Sequence, residues 1–131
     1  MLAPSTILLA EDDEFLAKMY RQKLLLEGYR VLLAKDGEEA VGYIKSEPSL
    51  KAVLLDILMP KKNGFEVLAN LRASPNHEVA SIPVLVVSNL SQDQAIHQSM
   101  LAGANDYIIK PGSTPSEVVN ILKQLVPSAH V

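Results

Sequence analysis

A chain of 131 residues with 15 acidic and 12 basic side chains carries a formal net charge of −3, and 48% of it is hydrophobic against 21% charged. These values describe one globular domain over residues 1–131 and exclude a disordered or fibrous chain. Cysteine is absent, which removes disulfides, thiolate metal sites, Fe–S clusters and thiol nucleophiles together. With no basic cluster beyond Lys61-Lys62, nothing offers direct nucleic acid contact. The run Ile7-Leu8-Leu9-Ala10 is cut short by Glu11-Asp12-Asp13, so no signal peptide is expected, and no apolar stretch approaches the length of a membrane span. A cytoplasmic setting is expected.

Ile7 to Ala10 reads as a strand that is apolar on both faces. Leu16, Met19, Tyr20 and Leu24 then form a one-sided helical stripe that stops at Gly28. Val31 to Ala34 is the second strand. Asp36, with Glu39 three residues on, opens the second helix, whose Ala40, Val41 and Ile44 face inward. Ala52 to Leu55 is the third strand, and Phe65, Leu68 and Leu71 mark the third helix. Ala73 to Pro83, with Pro75, Asn76, Ser81 and Pro83, reads as a surface loop. Val84 to Val87 is the fourth strand, and Ser91 to Gln94 caps a helix that runs to Gly103. After the fifth strand, Tyr107 to Ile109, the Lys110-Pro111 bond is expected to be cis, aiming the lysine while the chain turns toward Thr114. Thr114-Pro115-Ser116-Glu117 is a capping box with proline at the first helical position, ahead of Val118, Ile121, Leu122 and Leu125. Five buried strands in strict alternation with five helices give an α/β fold. Its sheet is open, parallel and five-stranded, with helices on both faces in a Rossmann or flavodoxin-like topology.

In such sheets ligands bind beyond the carboxyl ends of the strands. There the sequence carries Glu11, Asp12 and Asp13 after the first strand, Asp56 after the third, Ser88 after the fourth and Lys110 after the fifth. Gathered carboxylates repel one another unless a cation joins them, and an all-oxygen set of two or three carboxylates with a main-chain carbonyl suits Mg²⁺. A bound phosphate would meet Lys110 as a point charge and Ser88 as a hydroxyl donor, with Asp56 placed as a nucleophile toward phosphorus. Asp13 is assigned to capping the first helix. Met59 and Met100 read as core. His77, His97 and His130 match no ligand spacing and read as surface residues. A flavin carrier would need a Ser/Thr/Gly-rich phosphate loop after the first strand, and a dehydrogenase a glycine fingerprint; both are missing. A phosphatase with an aspartyl intermediate would want an acid where Leu58 stands.

The segments Ile7-Leu8-Leu9-Ala10-Glu11-Asp12-Asp13, Leu54-Leu55-Asp56-Ile57-Leu58-Met59-Pro60, Asn63-Gly64, Val86-Val87-Ser88, Gly103-Ala104-Asn105-Asp106-Tyr107 and Ile109-Lys110-Pro111 stand in a telling order and spacing. Over essentially its whole length the chain resembles the receiver domain of bacterial two-component response regulators, of the stand-alone chemotaxis-regulator type. That resemblance implies a strand order of 2-1-3-4-5 and a phosphoprotein of a phosphorelay. Asp56 would accept a phosphoryl group from a sensor histidine kinase or phosphotransfer protein. Glu11, Asp12, Asp56 and the main-chain oxygen of Leu58 would hold Mg²⁺. Ser88, Tyr107 and Lys110 would report the change to the face of the fourth helix, fifth strand and fifth helix, where a downstream effector protein binds. Such a protein is a signalling phosphoacceptor rather than an enzyme, although it assists its own phosphotransfer and dephosphorylation. Leu58 and Leu90 fall at the pocket mouth by the same resemblance, and their bulk predicts a long-lived aspartyl phosphate; Asn89 stands where the family usually has Ala or Gly. The alternative is a degenerate receiver that acts only as a protein-interaction module, against which the presence of every charged site residue counts.

Overall fold

The computed structural model describes residues 4–126. Among them the chain runs β1 (Thr6–Ala10), α1 (Glu14–Leu26), β2 (Arg30–Ala34), α2 (Gly37–Ser46), β3 (Leu50–Leu55), α3 (Gly64–Arg72), α4 (His77–Ala80), β4 (Val84–Ser88), α5 (Asp93–Leu101), β5 (Asp106–Ile109) and α6 (Pro115–Leu125). The five strands are all parallel, in the order β2-β1-β3-β4-β5. No described helix is long and apolar enough to cross a membrane.

Because side chains alternate across a strand, each central strand feeds two cores. Ile7, Leu9, Ala52, Leu54, Leu85 and Val87 pack on one face with Tyr20 and Leu24 of α1 and Val118, Val119 and Leu122 of α6. Leu8, Val53, Leu55, Val84 and Val86 pack on the other with Val41 and Ile44 of α2 and Val67, Leu68 and Leu71 of α3. β1 and β4 are buried throughout, whereas β2 and β5 are only partly covered, as sheet edges are. Apolar runs alone do not separate edge from centre, so the sequence makes all five look central.

Four other expectations need correction. The segment between α3 and β4 is not a bare surface loop. Asn76 accepts from the Glu78 and Val79 amides to start the short α4, and Val79 and Ile82 are buried in the α2/α3 core. Ser91 does not cap α5; Gln92 holds that position without a side-chain bond, and Asp93 supplies the acid of the first turn. Met100 is 43% exposed rather than core, while Met59 does pack against the α2/α3 cluster. No described peptide bond is cis. Lys110 to Ser113 instead closes a turn, Ser113 N–H to Lys110 C=O at 3.1 Å, with Pro111 and Gly112 at its centre. Gly112 has φ of +87°, so this Pro-Gly turn redirects the chain with a trans bond. His77 and His97 are exposed, and His130 lies outside the described residues.

Candidate functional site

Backbone pairing at the carboxyl edge of the sheet sets the site. The Glu11 amide continues the β1/β2 ladder to Ala34 C=O at 3.1 Å, and the Asp56 amide continues β3 onto Ala10 C=O at 3.0 Å. The Lys110 amide bonds to Ser88 C=O at 2.8 Å. Residues directly after neighbouring strands are thereby held side by side. Asp13 caps α1 by accepting from the Leu16 amide at 3.0 Å, which turns the chain away and leaves Glu11 buried and Asp12 exposed at the rim.

The side chains then converge. Lys110 Nζ stands 2.8 Å from both Asp56 Oδ2 and Glu11 Oε1, and all three groups are almost fully buried. Carboxylate oxygens of Glu11, Asp12 and Asp56 lie within 4.8 Å of one another. Three carboxylates against one ammonium leave two negative charges in excess. Burial first and the Asp56 neighbour second push the Glu11 carboxyl up to about 7. For Lys110, burial opposes the charge, but hydrogen bonds and attraction from Asp56 and Glu11 outweigh it and raise the ammonium above its ordinary value. An oxygen-only donor set with a surplus of about two negative charges fits a hard divalent cation, which replaces a shared proton as the neutralising species.

Ser88 is fully buried, and its Oγ accepts from the Leu90 amide at 3.2 Å. The Leu90 carbonyl in turn accepts from the half-buried Tyr107 hydroxyl at 2.7 Å. One residue, Leu90, thus joins Ser88 to Tyr107 through its two flanking peptide groups, a link the sequence does not announce because it runs through backbone. Leu58 is 52% exposed and folds back so that its amide donates to Asp56 Oδ1 at 3.2 Å. Asn89 is exposed. The Asn63–Glu66 capping box, an N-x-x-E signal in the sequence, starts α3 just past this loop. The structure therefore brings together Glu11, Asp12, Asp56, Ser88 and Lys110, with Tyr107 reached through Leu90.

A family model of the response regulator receiver domain matches residues 7–123. The chain belongs to that family. Among receiver-containing relatives it is 35% identical over 119 residues to the uncharacterized transcriptional regulatory protein YrkP of Bacillus subtilis, covering 91% of this chain and 48% of that protein. It is 32% identical over 124 residues to the transcriptional regulatory protein CpxR of Escherichia coli, covering 95% and 50%. The chain spans about half the length of these curated relatives. Its fold is similar to a putative response regulator of Chloroflexus aurantiacus, at TM-score 0.83 and 32% identity over 93% of this chain and 97% of that one. It is equally similar, at TM-score 0.83 and 28% identity over 96% and 100%, to the receiver domain of sensor histidine kinase PA1611 of Pseudomonas aeruginosa, whose active-site cleft coordinates magnesium.

Proposed function

We propose that this chain is a single receiver domain, working in the cytoplasm, in which Asp56 accepts a phosphoryl group from the phosphohistidine of a sensor histidine kinase or phosphotransfer protein. The observation that carries the reading is the buried cluster in which Lys110 Nζ lies 2.8 Å from both Asp56 and Glu11 while Glu11, Asp12 and Asp56 gather within 4.8 Å. Glu11, Asp12, Asp56 and the Leu58 carbonyl would hold Mg²⁺, which when bound supplies charge neutralisation for the incoming phosphoryl oxygens. Asp56 contributes the attacking oxygen. Its bond to phosphorus forms as the phosphorus–nitrogen bond breaks, and the imidazole leaves with the electron pair and takes up a proton. Lys110 is released from Asp56 to pair with a phosphoryl oxygen, and the Ser88 hydroxyl donates to another.

The Ser88–Leu90–Tyr107 chain supports a signalling role: when Ser88 turns to the phosphoryl group, it lets go of the Leu90 amide, and the Tyr107 contact on the Leu90 carbonyl shifts with it. The α5/β5/α6 face, where Leu101 is exposed, then presents a changed surface to a downstream effector protein. Incubation with Mg²⁺ and a small acyl phosphate, followed by peptide mass mapping, tests the reading. One phosphoryl group is expected on Asp56 and none on Asp56→Asn; label retained in that variant assigns the chemistry elsewhere, and no uptake by the wild type favours the degenerate module.

A further inference from the structure

The loop between β3 and α3 carries the residues that follow Asp56, and something must hold it in shape. From within, Gly64 N–H donates to Ile57 C=O at 2.8 Å, and Leu58 N–H reaches back to Asp56. From outside, the loop rests on the first turn of α2. Pro60 C=O accepts both from Lys62 N–H at 2.8 Å and from Gly37 N–H at 3.3 Å. The first of these bonds closes a three-residue turn around Lys61, whose φ of +69° lies in the region that residues with a Cβ seldom occupy. A lysine held there without glycine's freedom needs surroundings that impose the conformation.

Those surroundings are on α2. Lys61 Nζ lies 3.6 Å from Asp36 Oδ2, while Asp36 Oδ1 caps the helix through the Glu39 amide. The Gly37 Cα sits so close to the loop that an added Cβ would overlap the Lys62 carbonyl oxygen, carbonyl carbon and Cβ. Further along the same helix, a Cβ on Gly42 would meet nothing within 4 Å. The requirement for glycine at position 37 therefore comes from the loop and not from the helix.

We propose that Gly37 and Asp36 are positioning residues for the acidic cluster, setting its affinity for a divalent cation through the 58–62 loop. The inference rests on the cation-site reading of Glu11, Asp12 and Asp56. Displacing Lys62 and Pro60 moves Leu58, and with it the hydrogen bond that orients the Asp56 carboxylate. The Leu58 amide is the group one layer behind the Asp56 ligand, and altering such groups typically changes metal affinity by 10–100-fold; Gly37 acts through it.

The test is a Mg²⁺ titration of the full chain followed by backbone NMR, with melting temperatures measured alongside. Gly37→Ala is expected to weaken Mg²⁺ about tenfold and, in the metal-free protein, to move the amide signals of residues 58–62. Gly42→Ala is expected to leave the affinity within about twofold. Val79→Ala, which removes buried packing in α4 away from the loop, lowers the melting temperature with the affinity unchanged, separating positioning from general destabilisation. Should Gly37→Ala fail to fold, Lys61→Pro breaks the same turn from the exposed loop side, since proline cannot adopt a positive φ, and the same tenfold loss is expected. Gly37→Ala or Lys61→Pro binding Mg²⁺ as the wild type does overturns the inference while the cation site stands. A wild type whose Glu11, Asp12 and Asp56 signals ignore Mg²⁺ overturns the cation-site reading, and the inference with it.

Discussion

Two cations anchor opposite ends of the sheet, and their surroundings differ in kind. At the carboxyl ends, Lys110 faces ionisable carboxylates, Glu11 and Asp56, with Asp12 beside them. At the amino ends of β4 and β5, Arg72 faces neutral acceptors. It donates to Gly103 C=O at 2.7 and 3.1 Å, to Ala80 C=O at 2.9 Å, to Ile82 C=O at 2.6 Å and to Asn105 Oδ1 at 3.1 Å. Asn105 Oδ1 also accepts from Val84 N–H, so the guanidinium ties α3, the α4–β4 connection and the α5–β5 loop into one unit. The Arg72 cluster is saturated in hydrogen bonds: every guanidinium donor has a fixed partner. The Lys110 cluster instead gathers three carboxylates around one ammonium. One buried cation meets fixed neutral acceptors, the other a surplus of carboxylates.

The largest effect on stability is expected at Arg72. Arg72→Ala leaves several half-buried carbonyls without donors and should cost about 3 kcal/mol in urea or thermal melts, with Mg²⁺ affinity nearly unchanged. Arg72→Lys recovers little, because an ammonium has three donors on one atom and lacks the planar five-donor fork that these acceptors surround. The complementary change, Lys110→Ala, is expected to slow phosphoryl uptake from a small acyl phosphate roughly 100-fold. A variant pair in which Arg72→Ala slows phosphorylation and Lys110→Ala mainly destabilises would erase the distinction between the clusters.

A pH series sharpens the same contrast, since the described partners of Arg72 are neutral amide oxygens and Lys110 faces the titrating Glu11. In the fold Glu11 sits at about 7, against 4.5 in its ordinary setting, so the folded protein holds this proton more tightly than the unfolded chain. Its stabilising contribution is complete below about pH 4.5 and is lost as the pH rises to about 7. With a chelator present, Glu11→Gln should therefore become progressively more stable relative to wild type between pH 5 and about 7.5. With Mg²⁺ present, the wild type should recover that deficit. Denaturant midpoints across this range provide the check; a difference that is flat with pH contradicts the account of Glu11.

The smallest effect is expected at the mouth of the site. Leu58, two residues past Asp56, is half exposed and its apolar side chain cannot guide a water, so Leu58→Asn should hasten loss of the phosphoryl group, by less than the 10²–10⁴-fold that full general acid–base assistance supplies. Decay rates of the labelled proteins measure it, and equal rates remove the apolar-mouth explanation.

The Lys110 cluster is far more legible in the sequence than the Arg72 cluster, and the reason is physical. Glu11, Asp56, Ser88 and Lys110 each stand at or just beyond the end of a short apolar run, so finding the strands finds the site. Asp36 and Thr114 betray helix starts because capping is local, over three residues. Arg72, by contrast, bonds to partners 8, 10, 31 and 33 residues away, and no local pattern encodes them. The same holds for α4, whose four residues are too few for a helical period, and for Gly37, whose constraint comes from Lys62 across the loop. The Lys110-Pro111 bond is trans rather than cis because Gly112, at φ +87°, takes up the turn that the proline alone does not make.

The central claim is that surplus negative charge at one end of the sheet makes a divalent-cation site there and nowhere near the other buried cation. Titrating Mg²⁺ into the wild-type protein and following its backbone amides tests it most directly. Shifts are expected for residues 11–13, 56–59, 88–90 and 110, with the amides of Arg72, Gly103 and Asn105 unmoved. Saturable shifts centred on Arg72, or none at Glu11 and Asp56 up to millimolar Mg²⁺, would contradict it.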